Sequence, residues 1–117
     1  NQTMSPYFVA LVFWYPAFEN LFSILRRIFF SKKNISKPDT FHLHQLIYLS
    51  FKKKNLLEIK NINNLTGSLI VFFNLIIFLI SINYYQNTKI LVSLMVFNVT
   101  IYLILYFNLK ELIFKKK

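Results

Sequence analysis

NINNLTGSLIVFFNLIIFLISINYYQNTKILVSLMVFNVTIYLILYFNLK occupies residues 61–110. Between Asn61 and Leu109 its only charged side chain is Lys89. A helix that crosses a bilayer needs about 20 mostly apolar residues. This stretch supplies two such segments, at 65–82 and 90–107, joined by the polar turn NYYQNTK. A pair of adjacent spans is therefore predicted, followed by a basic tail over 108–117.

Composition agrees with that reading. The chain has 117 residues, of which 56% are hydrophobic and 14 are Phe. Its mean hydropathy is +0.46. A soluble domain of this size has too little interior to hide so much apolar surface. There is no Cys, which excludes a disulfide framework and thiolate chemistry.

Upstream, residues 1–18 also lack charge, and Glu19 ends the run. A span that begins near Ser5 places Pro6 in its first turn, where no amide donor is needed. Pro16 then bends that span near its inner end. ENLFSILRRIFF keeps a helical stripe of Leu21, Leu25 and Ile28, with Phe22 and Phe29 beside it. The first helix is therefore predicted over 5–30, with an extension that carries Arg26 and Arg27 into water or headgroups.

Residues 31–60 form a basic loop with one short amphipathic helix. DTFHLHQLIYLSFKKK places Leu43, Leu46, Ile47 and Phe51 at helical spacing. Asp39 is the expected N-cap. Such a helix lies on the membrane surface or against the protein body.

Charge orients the chain. Of the 14 Lys and Arg residues, the 26–60 segment holds nine, the C-terminus four and the 83–89 turn only Lys89. Basic loops stay cytoplasmic, which puts 26–60 and the tail inside and the turn outside. Tyr84 and Tyr85 suit the outer interface. A net charge of +10 alone would also fit a nucleic-acid binder, but orientation already accounts for the basic clusters, so no nucleic-acid partner is expected. Anionic membrane lipids are the expected electrostatic partners. The chain opens Asn-Gln-Thr-Met with no basic n-region, and residue 1 is read as an internal position of a longer protein. The fold class is thus all-α integral membrane, with three transmembrane helices from the C-terminal part of a larger bundle.

Few residues offer chemistry. Asn74 and Asn98 lie near mid-span at similar depth, which predicts an interhelical hydrogen bond. Gly67 and Ser68 read as close helix packing. Glu19 is an ionisable group at the inner end of a span, where a carboxylate is costly unless paired or snorkelling. His42 and His44, the only histidines, stand among Arg26, Arg27, Lys37 and Lys52–Lys54. With Asp39 they make a weak metal motif, because a structural zinc site wants four ligands. Contact with an anionic substrate fits them better.

YPAFENLFSILRR (15–27), a basic spacer and KPDTFHLHQL (37–46), followed by two spans, resemble the C-terminal part of the polyprenyl-phosphate N-acetylhexosamine-1-phosphate transferases. That superfamily includes phospho-MurNAc-pentapeptide translocase. The specific part of the resemblance is about 30 residues, Pro16 to Leu46; the two terminal helices match in topology only. It implies transfer of a sugar-1-phosphate from a UDP-sugar to a polyprenyl phosphate, with Mg²⁺, at the bacterial inner membrane in cell-envelope polysaccharide synthesis. Pro38, Asp39, His42 and His44 fill the family's Pro-Asp-x-x-His-x-His-His pattern, which implies nucleotide-sugar binding. Gln45 stands at the last His. Glu19 stands where the family often has Asp, and Arg26 and Arg27 match its Arg pair. The family's catalytic and Mg²⁺-binding Asp loops have no counterpart here. The resemblance therefore implies a chain with no catalytic residue of its own, completed by N-terminal helices outside it. The alternative is a small three-span structural or interaction protein with a lipid-binding basic loop. A metal module built on His42 and His44 is a distant third.

Overall fold

The computed structural model describes residues 3–31, 41–54 and 59–115, and among them every regular element is a helix. The order is α1 (Pro6–Val12), α2 (Trp14–Arg26) continuing into a wider π-helical turn (Arg27–Ser31), α3 (Leu43–Lys53), α4 (Ile59–Ile82) and α5 (Thr88–Phe114). At about 1.5 Å per residue, α4 is about 36 Å long and α5 about 40 Å, against a hydrocarbon core of about 30 Å. Both are long and apolar enough to cross a membrane, and α1 with α2 qualifies as a third if the bent pair is one span. Their outward faces are apolar: Val71, Phe72, Val96 and Ile104 all stand exposed. Patches of that extent in water would drive association.

The first helix does not run unbroken to a bend at Pro16, as expected. It breaks at Phe13, and its two parts are bent by 72°. The cause is Pro16. Its ring would collide with the carbonyl four residues back, at Val12, and it has no amide to donate there. The chain therefore stops one helix at Val12 and starts another at Trp14, which leaves Pro16 in a first turn where its missing donor costs nothing. The break falls three residues before the proline, not at it.

Two wedges hold α4 and α5 together. The long helices touch each other little; α1 packs against both near the turn, and α3 packs against both near the other end. At the turn end, Ser5 N–H donates to Tyr85 O at 3.0 Å, and the Ser5 and Thr88 hydroxyls meet at 3.0 Å. At the other end, Lys53 Nζ donates to the carbonyls of Leu112 (2.7 Å) and Ile113 (3.2 Å). Those carbonyls lack helical partners, so the cation caps the C-terminus of α5. α5 runs on to Phe114, past Phe107, and its exposed Glu111 pairs with Lys115 at 3.0 Å.

The wedges explain two departures from the sequence reading. Asn74 and Asn98 do not bond to each other. Asn74 Nδ2 donates to Ile70 O of its own helix at 2.8 Å, and the fully buried Asn98 amide meets no polar partner among the described residues. Gly67 marks no close approach: a methyl group there would meet nothing within 4 Å. Between the separated helices lies an apolar gap of about 400 Å³, lined by Trp14, Tyr15, Phe73, Ile101 and Leu105, with Lys54 at its rim.

The core is aromatic. Phe18 and Phe22 of α2 set their ring edges on Tyr102, at 5.0 and 5.5 Å between centroids, and Phe22 also meets Tyr106 at 4.8 Å. Edge-to-face pairs of this kind contribute about 0.5–1.5 kcal/mol each beyond their burial. They lay α2 across the second half of α5. Leu43 and Leu46 of α3 complete the core, with Leu46 fully buried.

Candidate functional site

The site is built at the end of the bundle where α2, α3 and α5 converge. Pro16 sets the start of α2, and Glu19 follows it by three residues, on the face turned toward α5. Glu19 is only 7% exposed. Its Oε1 accepts the backbone N–H of Leu43 at 2.8 Å and the Tyr102 hydroxyl at 2.8 Å, and it lies 3.2 Å from His42 Nδ1. It is not a snorkelling carboxylate at an interface. It is enclosed, and among the described residues it is the only buried acid.

The local sequence of α3 accounts for this placement. The helix begins at Leu43, and its N-cap is His42, in extended conformation, where Asp39 had been expected. Asp39 lies outside the described residues. The Gln45 side chain turns back to accept the His42 N–H at 3.1 Å. That is the Gln45 side of a capping box; the His42 ring stands opposite the Gln45 N–H on the other side, without a side-chain hydrogen bond to it. The free N–H of Leu43 then points at Glu19, so a carboxylate from another helix occupies the anion-favouring N-terminus of α3. Gln45 is thereby committed to a helix cap.

His44 is exposed, and its ring stacks on His42 at 5.6 Å with 10° between planes. His44 and Gln45 also line an open cleft of about 380 Å³ with Tyr48, Asn63 and Thr66. The arginines lie elsewhere than expected. Arg26 and Arg27 are 7% and 8% exposed, not extended into water or headgroups. The Arg26 guanidinium sits over the Phe41 ring at 5.5 Å, a cation–π contact that ties the end of α2 to the entry of α3.

Of the residues singled out in the sequence, Glu19, Arg26, His42, His44 and Gln45 gather here. Tyr102 was missed, although it supplies one of the two directed hydrogen bonds on Glu19. Its signal was faint: Leu91, Asn98, Tyr102 and Tyr106 form the buried stripe of α5, and a hydroxyl on such a stripe needs a partner. Among the described residues no group of three or more His, Cys, Asp or Glu is placed to hold a metal ion. The ligand set present, one carboxylate oxygen already met by two donors and a histidine nitrogen, does not fit Mg²⁺, which wants several oxygens in octahedral array.

No family model matches the chain, and neither a curated protein nor a solved structure does.

Proposed function

We propose that the chain is the nucleotide-sugar-binding C-terminal part of a membrane enzyme that moves a sugar-1-phosphate from a UDP-sugar to a polyprenyl phosphate. One observation carries this reading. Residues matched by the resemblance at 19, 26, 42 and 44, separate in sequence, lie together at one end of an apolar helical bundle. That end is the basic, cytoplasmic one under the charge rule, where a soluble UDP-sugar meets a lipid acceptor.

The roles follow from the chemistry. His42 and His44 contact the nucleotide sugar. Arg26 and Arg27 hold the segment before the loop, and their charge favours a diphosphate nearby. Lys52 and Lys54, exposed, add to the local positive potential. The apolar gap between α4 and α5, with Lys54 at its rim, suits a lipid chain with an anionic head. Mg²⁺ would supply charge neutralisation for phosphoryl transfer, and its ligands belong to other loops of the enzyme.

In the full-length protein, His42→Ala or His44→Ala should lower transfer of radiolabelled sugar-1-phosphate to polyprenyl phosphate by about 100-fold, the scale of a lost positioning contact. Membrane expression should be unchanged. Normal transfer in both variants would remove the assigned role. It would leave the alternative, a three-span interaction protein whose exposed lysines bind anionic lipid at about 1 kcal/mol each.

A further inference from the structure

Three potential donors converge on one oxygen of Glu19. The backbone N–H of Leu43 can only donate, and it reaches Oε1 at 2.8 Å. The Tyr102 hydroxyl donates to the same atom at 2.8 Å. Oε1 is therefore an acceptor here. The atom of His42 that faces it is Nδ1, at 3.2 Å. A proton on Nδ1 makes this contact a hydrogen bond, whereas a bare nitrogen would set its lone pair against that of the oxygen.

We propose that Glu19 is a positioning residue that holds the ring proton of His42 on Nδ1 and so reserves Nε2 for the ligand. A free imidazole favours the opposite tautomer, with the proton on Nε2. Here the choice is imposed from a second helix, and the ring orientation is imposed with it. Backbone and side chain act on one atom: Leu43 N–H fixes where Oε1 stands, and His42, at the adjoining N-cap, is aligned by the same oxygen. Stacking passes that alignment to His44, whose ring lies 10° from parallel.

The consequence is chemical. In the neutral ring, Nε2 presents a lone pair and accepts from a hydroxyl or N–H. In the charged ring it donates. In neither state is Nδ1 available to the ligand. The neutral dyad thus recognises a donor group, such as a ribose or sugar hydroxyl. The phosphates are left to the cationic side chains. The identity of this ligand rests on the transferase reading; the tautomer does not.

The test is ¹⁵N-histidine NMR of the chain in lipid nanodiscs, at a pH where imidazole is neutral, with His42 assigned by its loss in His42→Gln. The expected spectrum shows a protonated, pyrrole-type Nδ1 and a pyridine-type Nε2. A protonated Nε2 in the unsubstituted chain would overturn the proposal, and that measurement decides it whether or not any variant folds. Glu19→Ala should move the tautomer ratio at least about threefold toward Nε2–H, and an unchanged ratio in a folded Glu19→Ala would also overturn it. Tyr102→Phe removes one donor without touching His42, and should keep the parent tautomer. A failed transferase assay with the Nδ1–H signature intact would sink the functional reading and leave this one standing.

Discussion

The two ends of the bundle are closed by different means. At the turn end, Ser5 and its neighbours use neutral groups: a backbone bond to Tyr85 and a hydroxyl pair with Thr88, on separate atoms. At the basic end, α2, α3 and α5 meet on one atom, Glu19 Oε1. The first arrangement spreads its cohesion, so losing one contact leaves the others in place. The second concentrates it, so losing one side chain removes the polar contacts of α2 to two helices at once. A buried carboxylate is costly to desolvate and is tolerated only where its donors are fixed. Concentration is therefore what a site for polar chemistry requires, whereas the neutral end needs only to hold.

The most forceful way to break this comparison is Glu19→Ala. It removes the common acceptor and leaves Leu43 N–H and Tyr102 Oη without it. The loss of stability should be about 3–5 kcal/mol, the range for breaking a buried charged contact. Steric-trap unfolding in bicelles would measure it, and a loss below about 1 kcal/mol would contradict the concentrated picture. Tyr102→Phe is the next step down, since it deletes one bond to a carboxylate and keeps the ring packing on Phe18 and Phe22. It should cost about 1–2 kcal/mol by the same measurement. Ser5→Ala tests the other end. Only the hydroxyl pair is lost while the Ser5–Tyr85 backbone bond remains, so the cost should be about 0.6 kcal/mol, typical of a hydrogen bond between helices in membranes. An effect at Ser5 as large as that at Glu19 would erase the distinction.

How much of this was legible depends on the residue. The two long helices and the amphipathic α3 were readable because their periodicity and charge-free length are properties of local sequence. The stripe of Leu43 and Leu46 was read as an apolar face, and α3 turns that face to α4 and α5. The break at Phe13 was misplaced because a proline acts on the carbonyl four residues back, an effect displaced from the residue that signals it. The arginines were misread for a different reason. Local charge argued for exposure, but both are buried, and Arg26 lies over Phe41, 15 residues away in sequence. The Asn74–Asn98 pairing failed on a tertiary fact: nothing in either helix announces that α1 and α3 would stand between them. Glu19 was recognised as costly, and its solution lay 23 and 83 residues away in sequence. The resemblance brought Glu19 and His42 into one motif without predicting that they touch.

Side-chain length at position 19 has a last consequence. The glutamate stem spans the distance from the axis of α2 to three donors on two other helices. Aspartate is shorter by one C–C bond, about 1.5 Å. With the helices as they stand, an Asp at 19 would fall out of reach of Leu43 N–H, whose bond to Oε1 now measures 2.8 Å. To restore it, α2 would have to approach α3 by a similar amount. The extra methylene is thus a gauge of helix spacing. Glu and Asp, alike in charge, would not be interchangeable at this spacing.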